Sequence, residues 1–212
     1  MTDIRTSILI VDDHEVVRNG IRLMLSTAPS LQVTGEASSA LEAMHLIRDQ
    51  HFDVAIVDLG LPDKTGLELL KRMSVEKPRM AVLIFSMYAE SIYGIRAFKL
   101  GASGFLSKNS DVATVVDAVT KVASGGKFIS ADLSDKMVKV FRGEKSVQHD
   151  QLTNRELEVL RLLATGEPLI KIAASLNLSA STITTYRTRI LEKTGLKNNV
   201  QLAHYASDYN LL

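Results

Sequence analysis

The chain has 212 residues, with 25 lysines and arginines against 24 aspartates and glutamates, no cysteine and a formal net charge of +1. That length allows one large domain or two small ones, and the lack of cysteine excludes disulfide frameworks, thiolate nucleophiles and cysteine-ligated metal centres. Because a protein that bound nucleic acid over its whole surface would be plainly basic, any such binding must be confined to a patch.

The sequence shows no targeting segment. Residues 1–6 lead directly into a short apolar strand, without the charged and then long apolar segments of a signal peptide. No apolar run approaches the roughly 18 residues that a membrane helix needs. We therefore expect a cytoplasmic protein with no membrane partner.

The first 125 residues alternate short apolar runs with amphipathic stretches, which predicts βαβ units around a parallel sheet. The predicted strands are Ser7–Val11, Gln32–Glu36, Val54–Val57, Val82–Phe85 and Gly104–Leu106. The predicted helices are His14–Ser26, Ala40–Asp49, Leu67–Glu76, Ser91–Leu100 and Val112–Ser124. Ser39 with Glu42 predicts a capping box for the second helix, and Ser110 with Asp111 predicts a cap for the fifth. The pattern predicts a doubly wound α/β domain that binds ligands at the carboxyl ends of its strands.

The second half of the chain lacks strand signals. Residues 132–142 have weak helical periodicity, and residues 143–150 are polar and aperiodic, as in a linker. From Leu152 the pattern is helical to the end. We predict an α/β domain over residues 1–128, a linker with a short helix over 129–149, and a small four-helix domain over 150–212.

Charged and polar residues follow the predicted strands. Asp12 and Asp13 end the first strand and Asp58 ends the third, so their carboxylates should converge at one edge of the sheet. Such carboxylates repel one another, and oxygen ligands with open positions suit Mg²⁺ or Mn²⁺. Ser86 and Lys108 end the fourth and fifth strands at the same edge, where they favour binding of a phosphoryl group. Taken singly, Asp13 is more typical of a helix cap, and Lys108 of a solvated surface charge.

The first domain resembles the receiver domain of two-component response regulators, which has a flavodoxin-like (βα)5 fold. The resemblance rests on Ile10-Val-Asp-Asp-His14, Val57-Asp-Leu-Gly-Leu-Pro-Asp-Lys-Thr-Gly66, Phe85-Ser86 and Gly101-Ala-Ser-Gly-Phe-Leu-Ser-Lys108. It implies that Asp58 accepts a phosphoryl group from a sensor histidine kinase. It also implies that Asp13, Asp58 and the Gly60 carbonyl bind Mg²⁺ directly, with Asp12 acting through water.

The same resemblance implies a switch beside the phosphoryl group. Lys108 would pair with the phosphoryl oxygens, and Ser86 would move onto them and let the ring of Phe105 turn inward. Many members of the family have Tyr at the position of Phe105, so a hydroxyl contact is lacking here. Phe105 is equally typical of a core aromatic residue.

The predicted four-helix domain has the outline of a helix-turn-helix. Thr153 and Glu156 form a capping box for a helix that ends at Gly166, and Pro168 fits the first turn of the next helix. Ser179 caps a third helix that runs to about Lys193. Its outer face mixes threonines with arginines, which suits a major groove but is also found on solvated helices.

The C-terminal residues resemble the LuxR-type DNA-binding domain of the NarL/FixJ class. The resemblance rests on Leu152-Thr-Asn-Arg-Glu-Leu-Glu-Val-Leu160, Ile172-Ala173, Leu176, Leu178-Ser179 and Ser181-Thr182-Ile183. It implies base contacts from Thr184, Thr185 and Thr188, phosphate contacts from Arg187, Arg189, Lys193 and Lys197, and a further contact from Thr182. The segment Thr182-Ile-Thr-Thr-Tyr-Arg-Thr-Arg189 is similar to the BvgA/EvgA branch, whose members control virulence, fimbrial or stress genes.

The resemblances imply a bacterial, phosphorylation-controlled DNA-binding transcriptional regulator that is not an enzyme, apart from accepting and slowly losing a phosphoryl group. Phosphorylation would favour homodimers on double-stranded DNA with paired half-sites. Two other interpretations remain open. The protein could be a phosphorylation-independent transcription factor whose receiver only dimerises. It could also be an aspartate-nucleophile phosphatase, although Asp12-Asp13-His14-Glu15 lacks the second Asp two residues after the first-strand nucleophile.

Overall fold

A five-stranded parallel sheet with the order β2-β1-β3-β4-β5 organises the first part of the chain in a computed structural model that describes residues 5–142, 148–209 and 211. The strands are β1 (Thr6–Val11), β2 (Leu31–Ala37), β3 (Val54–Val57), β4 (Ala81–Ser86) and β5 (Gly104–Ser107). The helices are α1 (Glu15–Leu25), α2 (Ala40–Asp49), α3 (Gly66–Glu76), α4 (Glu90–Lys99) and α5 (Val112–Ala123). Every boundary lies within one residue of its predicted position.

The sheet is buried on both faces, which explains the continuous apolar runs in the sequence. All four residues of β3 are buried. On one face, Ile8 and Ile56 belong to a core that includes Val115 and Val119 of α5. Adjacent side chains of a strand point to opposite faces, so Leu9 faces the side contacted by α2. The strand order changes direction between β1 and β3, which opens a crevice at their carboxyl ends.

Helix caps agree only partly with the sequence predictions. Ser39 accepts a hydrogen bond from the Glu42 N–H, but the Glu42 carboxylate accepts from Ser38 instead of completing a box with Ser39. Asp111 caps α5 as predicted. The N-cap of α1 is His14 rather than Asp13, and it makes no side-chain cap. A full capping box that the sequence analysis missed joins Thr65 and Glu68 at α3.

Gly66 begins α3 at a point where no side chain fits. A Cβ atom built there would lie 2.0 Å from the carbonyl oxygen of Asp58, which belongs to the backbone and cannot move aside alone. We expect Gly66→Ala to lower the free energy of unfolding by about 2 kcal/mol, because over-packing forces the backbone to shift. Denaturant titration of the full chain measures this change.

Gly20 provides the matched control for that substitution. It lies within α1, and a Cβ atom there would meet nothing within 4 Å. Gly20→Ala should raise the free energy of unfolding by about 0.5–1 kcal/mol through the better helix propensity of Ala. Equal effects of the two substitutions would contradict the steric argument at Gly66.

The second part of the chain is helical. Its helices are α6 (Ala131–Phe141), α7 (Asn154–Ala164), α8 (Leu169–Ser175), α9 (Ala180–Thr194) and α10 (Asn199–Asp208), with a short 3-10 helix at Gln148–Gln151. The chain divides into two compact units, residues 1–138 and 139–212. Residues 143–147 of the predicted linker lie outside the described residues. The expected α/β domain followed by a small four-helix domain is confirmed.

The first half of α6 packs on α4 within the first unit. Leu133 is buried, and its methyl groups would lie under 3 Å from a Cβ atom added to Gly94. Lys136 Nζ donates to the carbonyl oxygen of Ser91 at 2.9 Å. The close approach of Leu133 therefore depends on glycine at position 94.

The helices of the second unit begin and end close to the predicted positions. Thr153 and Glu156 form the predicted capping box of α7. Pro168 is the N-cap of α8 and not, as predicted, a residue of its first turn. Ser179 caps α9, which ends at Gly195 in a left-handed conformation that favours glycine. No helix of the described ranges is long and apolar enough to cross a membrane.

Candidate functional site

Polar side chains gather at the carboxyl edge of the sheet, as predicted. Asp12 follows β1 and Asp58 follows β3, while Ser86 is the last residue of β4. All three are at least nine-tenths buried. Lys108 follows β5, and its backbone N–H donates to the carbonyl oxygen of Ser86 at 3.0 Å. The parallel sheet thus carries these four residues to one edge.

Lys108 joins the two buried carboxylates. Its Nζ atom lies 2.5 Å from Asp12 Oδ2 and 3.0 Å from Asp58 Oδ2, and only 11% of its side chain is exposed. Burial disfavours the charged amine, but the contacts with Asp12 and Asp58 outweigh burial and raise the pKa of Lys108 above its ordinary value. Lys108 is therefore an ammonium ion at neutral pH.

A cluster of carboxylate and imidazole groups lies beside this ion pair. Ligand atoms of Asp12, Asp13 and His14 lie within 4.8 Å of one another. His14 Nδ1 is 2.7 Å from Asp13 Oδ1, a contact that the sequence analysis did not predict. Three carboxylates, including Asp58, against one ammonium leave a net negative charge at the edge. Oxygen ligands with this charge fit a hard divalent cation.

The other predicted site residues lie close to Asp58 or within the core. A Cβ atom added to Gly60 would lie 3.4 Å from Asp58 Oδ2, so the backbone of Gly60 borders the Asp58 carboxylate. Phe105 is a buried residue of β5. Tyr88, which the sequence analysis missed, brings its hydroxyl to 3.6 Å from the same Cβ position and stacks on Tyr93. Nothing in the sequence pattern distinguished Tyr88 from an ordinary loop tyrosine.

The outer face of α9 carries the predicted DNA contacts in the second unit. Ile183 and Ile190 are fully buried and fix which side of the helix faces inward. Exposed side chains on the opposite side are those of Thr184, Thr185, Thr188 and Arg189, with Lys197 exposed after the helix. Thr182 is half-buried, beside the capping Ser179.

Two of the predicted phosphate-binding side chains are engaged within the domain. Arg187 Nε donates to Asn199 Oδ1 at 2.7 Å, which ties α9 to the start of α10. Lys193 Nζ lies 2.6 Å from Glu156 Oε2, a carboxylate with 3% of its side chain exposed. Burial disfavours ionised Glu156, but hydrogen bonds from Lys193 and Thr153 outweigh it and lower the pKa of Glu156. Both cations are therefore held in internal contacts.

Comparisons with known proteins agree with this geometry. Residues 8–120 match the family described as response regulator receiver domain, and residues 150–206 match the luxR family of bacterial regulatory proteins. Response regulator UvrY of Escherichia coli K12 is 31% identical over 207 residues, covering 97% of this chain and 95% of UvrY. Transcriptional regulatory protein UhpA of Salmonella typhimurium is 36% identical over 203 residues, covering 95% of this chain and 98% of UhpA.

A solved structure supports the same fold for both units. The RcsB response regulator of Salmonella typhimurium, in a study of its conformational dynamism for DNA interaction, has a TM-score of 0.74 and 25% identity. The match covers 96% of this chain and 98% of that one. Receiver domains of this family bind Mg²⁺ at an acidic pocket, and here the pocket contains Asp12 and Asp13. The chain belongs to the LuxR-type response regulators: it is a phosphorylation-controlled, DNA-binding transcriptional regulator that works with a sensor kinase.

Proposed function

We propose that Asp58 is the phosphoacceptor and that a sensor histidine kinase supplies the phosphoryl group. The observation that carries this proposal is the contact of Lys108 Nζ with both Asp12 Oδ2 and Asp58 Oδ2 at a buried edge of the sheet. An ammonium in that place offers positive charge where the oxygens of a transferring phosphoryl group gain negative charge. The receiver domain extends over residues 1–128.

The transfer needs only one carboxylate oxygen of Asp58 as nucleophile. The oxygen attacks phosphorus, an O–P bond forms, and the P–N bond to the kinase histidine breaks. The imidazole keeps the electron pair of that bond and can then take up a proton. Hydrolysis of the resulting acyl phosphate returns Asp58 and inorganic phosphate, so slow autodephosphorylation resets the protein without making it an enzyme for an external substrate.

A divalent cation completes the site. The side chains of Asp13 and Asp58 and the carbonyl of Gly60 would hold Mg²⁺ or Mn²⁺ directly, and Asp12 would act through water. The cation would neutralise charge on the phosphoryl oxygens. The separations of the carboxylates of Asp12 and Asp13 and their unbalanced charge support this assignment. Lys108 holds Asp58 in place through the contact of its Nζ atom with Asp58 Oδ2.

Phosphorylation acts on the neighbouring residues of β4 and β5. Ser86 approaches the phosphoryl oxygens, and the buried ring of Phe105 takes the space that Ser86 leaves. The backbone contact between Lys108 and Ser86 supports such coupling, because it links the ends of the two strands. The response favours a homodimer, as RcsB dimers are the form bound to DNA in one solved structure.

The second domain, residues 150–212, follows a linker over 129–149 and binds double-stranded DNA in the cytoplasm. Its contacts are Thr182, Thr184, Thr185, Arg187, Thr188, Arg189, Lys193 and Lys197. Of these, the exposed Arg189 and Lys197 are the best placed to meet phosphates, because Arg187 and Lys193 have internal partners.

Phosphoryl mapping tests the proposal. The full chain is incubated with acetyl phosphate and Mg²⁺, the acyl phosphate is trapped by borohydride reduction, and peptides are analysed by mass spectrometry. Reduction releases the phosphate and leaves homoserine in place of the phosphorylated aspartate, so we expect homoserine at position 58 alone, and none when a chelator removes the metal. Homoserine at another aspartate, or at none, would show that the assignment of Asp58 is wrong.

A further inference from the structure

We infer that the outer face of α9 selects A·T base pairs in the major groove through the methyl groups and acceptor oxygens of Thr184, Thr185 and Thr188. This inference rests on the proposed role of α9 in DNA binding and adds the kind of base pair that the helix reads. We call these three residues the threonine face. They are exposed, and they lie in the second and third turns of the helix.

The hydroxyl groups of the threonine face already donate hydrogen bonds to carbonyl oxygens of their own helix. Thr184 Oγ1 donates to the carbonyl oxygen of Ala180 at 3.0 Å, and Thr185 Oγ1 donates to that of Ser181 at 3.1 Å. Thr188 Oγ1 donates to the carbonyl oxygen of Thr184 at 3.1 Å. A hydroxyl has one proton and two lone pairs, so toward DNA each of these oxygens can only accept. The same bonds fix the rotamers and hence the positions of the methyl groups.

The threonine face carries no cation. Guanine is usually read by two donors of one Arg or Lys to its O6 and N7 atoms. Arg187 Nε donates to Asn199 and Lys193 Nζ contacts Glu156, so both side chains are directed to partners within the domain. Arg189 is exposed one turn beyond Thr185, at the flank of the face, where phosphate contacts are made.

Only one base pair matches both features of the face. Adenine presents the N6 amino donor and thymine presents the C5 methyl group, so an A·T pair offers a donor to the oxygen and a methyl contact. Cytosine offers a donor without a methyl group, and guanine offers only acceptors in the major groove. A threonine oxygen beside guanine would face the O6 or N7 acceptor, so neither atom would have a hydrogen-bond donor.

Selection from random DNA tests the inference. The full chain, treated with acetyl phosphate and Mg²⁺, is used to enrich binding sites from a random duplex library. We expect half-sites whose central positions are A·T pairs. Deoxyuridine in place of each contacted thymine should weaken binding about fourfold, the factor for one methyl group removed from a dry contact.

The outcomes separate this inference from the function on which it rests. Enrichment of sites with guanine at the central positions, or equal binding of thymine and deoxyuridine, would overturn the A·T inference while DNA binding stands. No enrichment of any sequence would overturn both.

Variants of Thr185 test whether the affinity difference between thymine and deoxyuridine arises from the threonine face. Thr185→Ser keeps the oxygen and removes the methyl group, so the difference between thymine and deoxyuridine at its base pair should disappear. Thr185→Val keeps the methyl group and replaces the acceptor oxygen by a second methyl group, so that difference should persist while overall affinity falls. Thr165→Ser is the matched control, since Thr165 is exposed after α7 and also donates to a helix carbonyl, that of Leu162. Loss of the methyl effect in Thr165→Ser would contradict the assignment.

Discussion

Asp58→Asn is expected to abolish phosphoryl uptake from acetyl phosphate and to make DNA binding independent of the phosphodonor. An amide oxygen cannot form a stable acyl phosphate, whereas the amide can still accept the hydrogen bond that the Leu59 N–H donates at 2.7 Å. Phosphate-affinity electrophoresis measures uptake, and a mobility-shift titration with and without phosphodonor measures DNA binding. The expected change is complete loss of both responses.

Asp58→Asn should lose phosphoryl uptake and keep the fold of the wild type. Asp58 shares Lys108 with Asp12, so an uncharged side chain at position 58 removes repulsion between clustered carboxylates. We therefore expect a denaturation midpoint equal to or above that of the wild type. Asp117→Asn is the control, because Asp117 is exposed on α5, and it should keep wild-type uptake. Uptake by Asp58→Asn at the wild-type level would place the acceptor elsewhere.

The two alternatives to a phosphorylation-controlled regulator are now less favoured. Both family matches describe signalling and regulatory proteins, which gives no support to a phosphatase. Asp12, Asp58 and Lys108 are in contact, as expected if the receiver accepts a phosphoryl group and does more than dimerise. Asp58→Asn tests directly whether the protein is a phosphorylation-independent factor. Such a factor would bind DNA with the same affinity whether or not position 58 can be phosphorylated.

The sequence predicted the edge of the sheet well because that edge depends on local patterns. Each buried strand reads as a short apolar run, and the residue after it must leave the sheet at its carboxyl end. The order of Asp12, Asp58, Ser86 and Lys108 along the chain therefore predicted their convergence. The separations could not be predicted, since the contact of Lys108 with Asp12 depends on rotamers and on β3 lying between β1 and β4.

Contacts between distant helices escaped the sequence analysis. Glu156 fitted a capping box with Thr153, and Lys193 fitted an exposed helix face, so nothing local connected the two residues. Gly94 likewise gave no sign of its partner. In the sequence it is only a helix residue of low propensity, and the structure shows that Leu133 occupies the space that a side chain there would need. Helical periodicity identifies which face is apolar but not which partner covers it.

Lys193→Met is expected to lower the free energy of unfolding of the DNA-binding domain by about 3 kcal/mol. The substitution leaves the buried carboxylate of Glu156 without its cation, and removing one partner of a buried ion pair costs about 3–5 kcal/mol. We expect the lower end because Lys193 is 35% exposed, which lets water approach the pair. Denaturant titration of the full chain, followed by a probe in the second unit, measures the loss. Lys197→Met, which replaces an exposed lysine, should change stability by at most about 0.5 kcal/mol.

The double variant Glu156→Gln with Lys193→Met tests whether the loss belongs to the pair. The substituted amide side chain keeps an acceptor for the Thr153 N–H, and no buried charge remains, so the double variant should be more stable than Lys193→Met alone.

The pKa of Glu156 is lower in the folded domain than in the unfolded chain. The pair therefore stabilises the domain above the ordinary glutamate pKa, and this contribution is lost as the pH falls through the lowered value. The stability gap between the wild type and Glu156→Gln should accordingly narrow in acid, and a gap that stays constant would show that the pair does not stabilise the domain.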